Sequence, residues 1–166
     1  KTWSYIPDFI EAASYTGNTQ LENKADQLVT TFPEDSSYIN DAYAAQAGVK
    51  AALSKIDKAI EIVKSKITES TDNKTLQEKI EALTYKTEIN PKIAAIAIKN
   101  NNYSGARKAL DLASVYADHF YNSDSDLYKN LYKVQRGYLK IAKLYHETGD
   151  TALTEEMFSN TLKVLE

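Results

Sequence analysis

Apolar residues recur along this chain in steps of three and four, the spacing that places them on one face of an α-helix. The longest series lies between Ser36 and Glu69, a stretch without proline whose single glycine is internal. Its residues form a row that steps by three and four and a second row that repeats every seven: Ala42, Ala45, Val49, Ala52, Ile56, Ala59, Val63, and Ile39, Gln46, Leu53, Ile60, Ile67. Two adjacent rows predict one long central helix over about 36–69.

Shorter helices are predicted on both sides of this one. Pro7 and Gly17 bound a helix over 7–16, and Phe32-Pro33 ends another that begins at Thr19. A further helix is expected to end near Ile89, and Pro91 to open the next. Turn residues at 100–102, 122–126 and 149–150 separate the remaining helices. With 5 glycines and 3 prolines in 166 residues, the pattern predicts an all-α fold of seven or eight helices without a sheet.

The helices are expected to form a single domain over 1–166. Within it, residues 1–35 form a short helical N-terminal segment, residues 36–90 the long helix with its hairpin partner, and residues 91–166 a set of helical hairpins.

Residues 135–165 combine large, small and aromatic side chains at fixed spacing around a Gly149-Asp150 turn. Those before the turn are Tyr138, Ile141, Ala142 and Tyr145, and the aromatic one after it is Phe158, which is expected to pack inward. This arrangement resembles the tetratricopeptide repeat, whose two helices carry W-x2-L-G-x2-Y and A-x3-F. Thr154 departs from the alanine usual at its position. A second copy covers 90–113, where Ile93 and Ala94 match the first helix.

The spacing of the two repeat-like segments is compatible with two architectures. Their turns are 48 residues apart, whereas tetratricopeptide repeats recur about every 34. One architecture is an array of tetratricopeptide-like hairpins, and the other is an antiparallel helical bundle whose last hairpin packs in the same way. The resemblance implies a protein-interaction scaffold rather than an enzyme. Because at least three repeats are usually needed for stability, the long helix would have to cover the missing surface.

Composition and charge argue against several classes of binding partner. The net charge is −3, and no segment is basic enough for a nucleic-acid footprint or for a basic membrane-surface helix. No apolar run approaches the ~18 residues that span a bilayer. The chain has no cysteine, is rich in polar side chains and does not begin with Met, so we expect an extracytoplasmic protein: periplasmic, cell-surface or secreted.

No constellation of residues predicts catalysis, a cofactor or a metal site. His119 and His146 are the only imidazoles, and the acids next to them in sequence point elsewhere on a helix. The neighbouring acids Glu155 and Glu156 suit the first turns of a helix rather than a pair held across a cleft. The expected class is therefore non-catalytic.

Tyrosines are the most unusual feature of the sequence, because six of the 12 lie between 116 and 145. Tyr138 and Tyr145 lie on the apolar stripe and are expected in the core. Exposed aromatics with polar tips suit protein interfaces, so the partner-binding candidates are Tyr121, Tyr128, Tyr132 and His146. The alternative is that these tyrosines fill the seam against 103–121.

Three functions follow from these patterns. The first is a protein-interaction or adaptor domain that binds another protein or a peptide. The second is a self-assembling surface or filament subunit, in which the Ala-rich long helix packs between subunits. The third is a small-ligand carrier, for which the sequence shows no pocket.

Overall fold

The described residues of the computed structural model, 19–32, 39–67, 76–122 and 131–164, form seven helices and no strand. The helices are α1 (Thr19–Thr31), α2 (Ile39–Ala52), α3 (Ile56–Ser65), α4 (Leu76–Lys99), α5 (Tyr103–Tyr121), α6 (Leu131–Glu147) and α7 (Thr151–Lys163). The all-α prediction is confirmed. The helix predicted over 7–16 lies outside the described residues.

The long helix predicted over 36–69 is instead two helices, α2 and α3. They are separated by Leu53, Ser54 and Lys55, and Ser54 adopts a left-handed φ of 60°. The Lys55 amide donates to the Lys50 carbonyl five residues earlier, which closes the end of α2. The apolar spacing hid this break because it continues from Ala52 to Ile56 across a turn that contains no Gly, Pro or Asn.

A second correction concerns Pro91, which lies inside α4 rather than at the start of a new helix. Proline has no N–H, so its position interrupts the backbone hydrogen bonding of α4. The adjacent Asn90 is fully buried, and its Nδ2 donates to the Lys86 carbonyl at 3.0 Å. Pro91 itself is buried against the rest of the protein, so packing holds α4 together through the interruption.

Three helical hairpins, α2–α3, α4–α5 and α6–α7, have the same turn. In each, the middle turn residue has a positive φ: 60° at Ser54, 56° at Asn101 and 80° at Gly149. The amide of the next residue donates to the carbonyl five residues earlier, at 2.8–3.0 Å, and the amide of the middle residue donates to the carbonyl three earlier, at 2.9–3.0 Å. Both bonds together are the Schellman motif that ends many helices.

The side chains around the three turns also correspond. The alanine seven positions before the middle turn residue is fully buried in every hairpin, as Ala47, Ala94 and Ala142. The residue five positions after it is also buried, as Ala59, Ala106 and Thr154. The middle residues are 47 and 48 positions apart, so the part of the chain in the long predicted helix is a hairpin of the same kind as the two that follow.

The hairpins stack with their first helices side by side. α2 packs against α4 and α4 against α6, while α3 packs against α4 and α5 against α6. A Cβ on Gly137 of α6 would lie 3.1 Å from Cγ2 of Thr87 in α4, so these two helices approach closely. One apolar core runs through all three hairpins, and a smaller cluster around Ala25 and Val49 joins α1 to α2.

Ion pairs add to the contact between α1 and α2. Glu22 of α1 accepts hydrogen bonds from Lys50 and from Lys55, at 2.7 Å and 2.6 Å, and Asp26 accepts from Lys50 at 2.9 Å. These hydrogen bonds lower the pKa of Glu22 to about 2 from an ordinary value of 4.5. The charged form of Glu22 therefore stabilises the docking of α1.

Candidate functional site

Of the four predicted partner-binding residues, the structure describes the side chains of two, Tyr121 and His146. Tyr121 is half-buried at the end of α5, where its hydroxyl donates to the Lys163 carbonyl at 3.5 Å. His146 is exposed in the last turn of α6. Tyr128 lies outside the described residues, and Tyr132 lies in α6 at a position whose side chain is not described. Tyr121 contacts Lys163 at the C-terminal end of α7, whereas His146 lies beside the turn that joins α6 to α7, at the opposite end of this hairpin.

Tyr138 and Tyr145 are in the core, as predicted. Their hydroxyls reach across to α5, where Tyr138 donates to Asp118 at 2.5 Å and Tyr145 donates to Asp111 at 2.7 Å. Burial and the neighbouring carboxylates raise the pKa of both phenols well above the ordinary value. These tyrosines are neutral donors that fix α6 against α5, and they have no exposed surface for a ligand.

The two histidines lie on separate helices, His119 on α5 and His146 on α6, and both side chains are exposed. Among the described residues, no group of three or more His, Asp or Glu side chains is placed to hold a metal ion. In the same part of the chain, no helix has both the length and the apolar character needed to cross a membrane.

Four charged side chains meet where α4 lies beside α6. Glu88 and Lys92 are one turn apart on α4, and Arg136 and Lys140 are one turn apart on α6. Partial desolvation lowers the pKa of Lys140, the nearby positive charges of Lys92 and Arg136 lower it further, and Glu88 opposes this effect. Positive charge is therefore concentrated here despite a net charge of −3 for the chain.

The exposed face of α6 extends this cluster. Leu139 follows Arg136 by three residues and Lys143 follows Lys140 by three, a spacing that keeps these side chains on one face. Leu139 is 39% exposed, so the face offers an apolar contact among its charges. His146 and the exposed Glu147 follow Lys143 by three and four residues and continue the same face. We call the exposed face formed by Lys92, Arg136, Leu139, Lys140 and Lys143 the basic surface.

The sequence analysis did not identify the basic surface. Lys92 lies 44–51 residues before the α6 residues of this surface, and within each helix the charged residues show only the ordinary spacing of three or four. A signal was nevertheless present. Glu88 and Lys92 lie 48 residues before Arg136 and Lys140, which is the spacing between the turns at Asn101 and Gly149. Corresponding positions of neighbouring hairpins lie side by side, so this register predicts the cluster.

Comparison with models of protein families, with curated proteins and with solved structures gave no match to the chain. The tetratricopeptide resemblance therefore stays a prediction.

Proposed function

We propose that this protein is a non-catalytic interaction scaffold that binds an acidic peptide segment of a partner protein on the basic surface. The observation that carries this proposal is the concentration of four basic side chains and one exposed leucine across α4 and α6 of an acidic chain. The proposed site of action is extracytoplasmic, and recovery of the native protein only in the cytoplasmic fraction of its source cells would contradict that part.

The charges at this surface favour an acidic partner over a neutral one. Bringing a carboxylate beside Lys140 offsets the repulsion that Lys140 experiences from Lys92 and Arg136. Each exposed ion pair contributes only about 0–1 kcal/mol, so the ionic part of the binding is modest and sensitive to salt. Leu139 supplies the apolar contact that distinguishes a peptide from a simple polyanion.

The proposal is tested by fluorescence anisotropy with a fluorescein-labelled dodecapeptide of Asp and Glu that carries one central Leu. The double variant Arg136→Glu/Lys140→Glu is compared with Lys58→Glu/Lys64→Glu, which reverses two exposed charges on α3 instead. We expect the first variant to weaken binding about tenfold or more, which corresponds to about 1.4 kcal/mol, and the second to leave it nearly unchanged.

Two results would overturn the proposal. One is equal weakening by both double variants, because the effect would then be due to net charge alone. The other is tighter binding of a single-stranded oligonucleotide than of the peptide at the same ionic strength, because the surface would then favour nucleic acid. Circular dichroism of each variant checks that the helices remain folded.

Self-assembly through the Ala-rich region has less support than binding on the basic surface. Ala44, Ala47, Ala51 and Ala59 are fully buried inside the chain, so they offer no surface to a second subunit. Any self-association would have to use other residues.

A further inference from the structure

The outer face of α7, the second helix of the last hairpin, exposes two large apolar side chains. Phe158 is 48% exposed and Leu162 is 63% exposed. The sequence pattern predicted Phe158 to pack inward, and this prediction is wrong. The inward positions of α7 are Thr154, Met157 and Thr161, one residue before the expected stripe.

In the earlier hairpins, the positions that correspond to Phe158 and Leu162 can be compared. Phe158 corresponds to Val63 of α3 and Leu110 of α5, both fully buried. Leu162 corresponds to Ile67, which follows α3 and is fully buried, and to the half-buried Ser114 of α5. In both cases the first helix of the next hairpin packs there: α4 on α3, and α6 on α5. The apolar stripe of α7 therefore continues an interface that occurs twice in the chain, but no described helix follows it.

Among the described residues, α7 is the last helix of the stack and exposes an apolar face. In arrays of stacked repeats, the terminal unit needs a polar outer face to remain soluble. Phe158 and Leu162 lie one turn apart and present their side chains together, which places two large apolar groups where the array needs polar ones. Their area is too small for a stable symmetric dimer, which typically buries about 800 Å² on each subunit.

Ion pairs occur at two of the earlier interfaces and indicate which charge a docked helix would carry, whereas α3 has the uncharged Ile60 at the position of Arg107. Arg107 of α5 forms an ion pair with Asp150, the residue just beyond the end of α6, which packs on α5. In the same way, Glu22 of α1 pairs with Lys55, just beyond the end of α2, which packs on α1. The position on α7 that corresponds to Arg107 is Glu155, whose side chain is exposed. A helix docked on α7 would thus be expected to place a basic residue beyond its C-terminal end.

We propose that the α7 face formed by Glu155, Phe158 and Leu162 binds an amphipathic helix of a partner protein. The bound helix packs small and apolar side chains against Phe158 and Leu162, in the manner of α4 on α3. A lysine or arginine just beyond its C-terminal end pairs with Glu155. This site is separate from the basic surface and does not depend on the function proposed for it.

The test uses a fluorescein-labelled peptide with the sequence of residues 39–55, an Ala-rich helix that ends with Lys55. Anisotropy is measured with the intact protein, with Phe158→Gln/Leu162→Gln and with Val115→Gln. Val115 is 47% exposed on α5 and provides a matched loss of exposed apolar surface elsewhere. We expect the α7 double variant to weaken peptide binding at least tenfold, and the Val115 variant to change it less than about twofold.

The charge prediction is tested separately by exchanging the two charges. Glu155→Lys should weaken binding of the 39–55 peptide and strengthen binding of the same peptide carrying Lys55→Glu, since only opposite charges attract across this position.

Equal binding by the intact protein and the α7 double variant would overturn the proposal. A concentration-dependent dimer in sedimentation velocity, lost in that double variant, would also overturn it, because the occupant would then be a second copy of this chain. All substitutions are at exposed positions, and circular dichroism of each variant checks that its helices remain folded.

Discussion

Replacing Ser54 with glycine tests the break between α2 and α3 by the sign of its effect on stability. Ser54 has a φ of 60°, in the left-handed region that side chains with a Cβ avoid. In a continuous helix over 36–69, as the apolar pattern predicts, the same residue would have ordinary helical dihedrals. The two structures therefore predict opposite consequences for the same substitution.

The expected gain follows from two opposing contributions. A left-handed conformation costs an L-residue about 1–2 kcal/mol, which glycine avoids, whereas glycine loses about 0.5–1 kcal/mol more backbone entropy on folding. The hydrogen bond from Asn100 Nδ2 to Ser54 Oγ is exposed and 3.3 Å long, so its loss costs little. Ser54→Gly should raise the free energy of unfolding by about 0.5–1 kcal/mol.

The measurement is urea denaturation followed by circular dichroism at 222 nm, with Ser54→Ala beside Ser54→Gly. In the observed turn the order of stability is glycine, then serine, then alanine. In a continuous helix it is the reverse, because glycine is about 0.5 kcal/mol worse and alanine about 0.5 kcal/mol better than serine. Ser159→Gly, at an exposed position inside α7, is the matched control and should lower stability by about 0.5 kcal/mol.

A loss of stability in Ser54→Gly similar to that in Ser159→Gly would refute the break. The three-hairpin arrangement would then fail as well, since it depends on the same turn at 54 as at 101 and 149.

Three further substitutions test other contacts. Glu22→Gln should lower the free energy of unfolding by about 1 kcal/mol at pH 7. Because the pKa of Glu22 in the folded protein is lowered to about 2, the difference from wild type should shrink as the pH falls from 4.5 to 2, as measured by urea denaturation at each pH. Tyr145→Phe should cost about 1 kcal/mol in the same assay, through loss of the 2.7 Å hydrogen bond to Asp111, and unchanged stability would show that water replaces this bond. Gly105→Ala should lower the melting temperature despite the better helix propensity of alanine, because its Cβ would lie 2.9 Å from Cγ2 of Ile56; a rise would mean that the neighbouring side chains move aside.

The sequence predicted most of the local structure because helix faces and caps are local properties. The bounds of α1, the turns at 100–102 and 149–150 and the core positions of Tyr138 and Tyr145 all follow from apolar spacing and from Gly or Asn at the turns. The turn at 53–55 was missed because Ser54 carries no such signal. There the left-handed residue is held by tertiary packing of α2 and α3 rather than by its own preference.

The candidate surfaces were harder to predict because they depend on which helices are neighbours. Lys92 and Lys140 are ordinary exposed lysines until α4 and α6 lie side by side. Phe158 matches an inward aromatic position by spacing alone, but its exposure depends on the absence of a described helix beyond α7. Recognition of three hairpins in one register would have predicted both features.

The stacking of the three hairpins also determines which helices would unfold first. Each hairpin packs on its immediate neighbours. Unfolding of a hairpin at one end of the stack therefore breaks one interface between hairpins, whereas unfolding of α4–α5 breaks two. Amide hydrogen exchange should therefore be slowest in α4 and α5 and faster in α1 and α7, because each of these end helices packs mainly on one described neighbour, α2 or α6. A partner helix bound on α7 would add a second interface to this helix. Binding would therefore slow the amide hydrogen exchange of α7 even if the structure of the protein did not change.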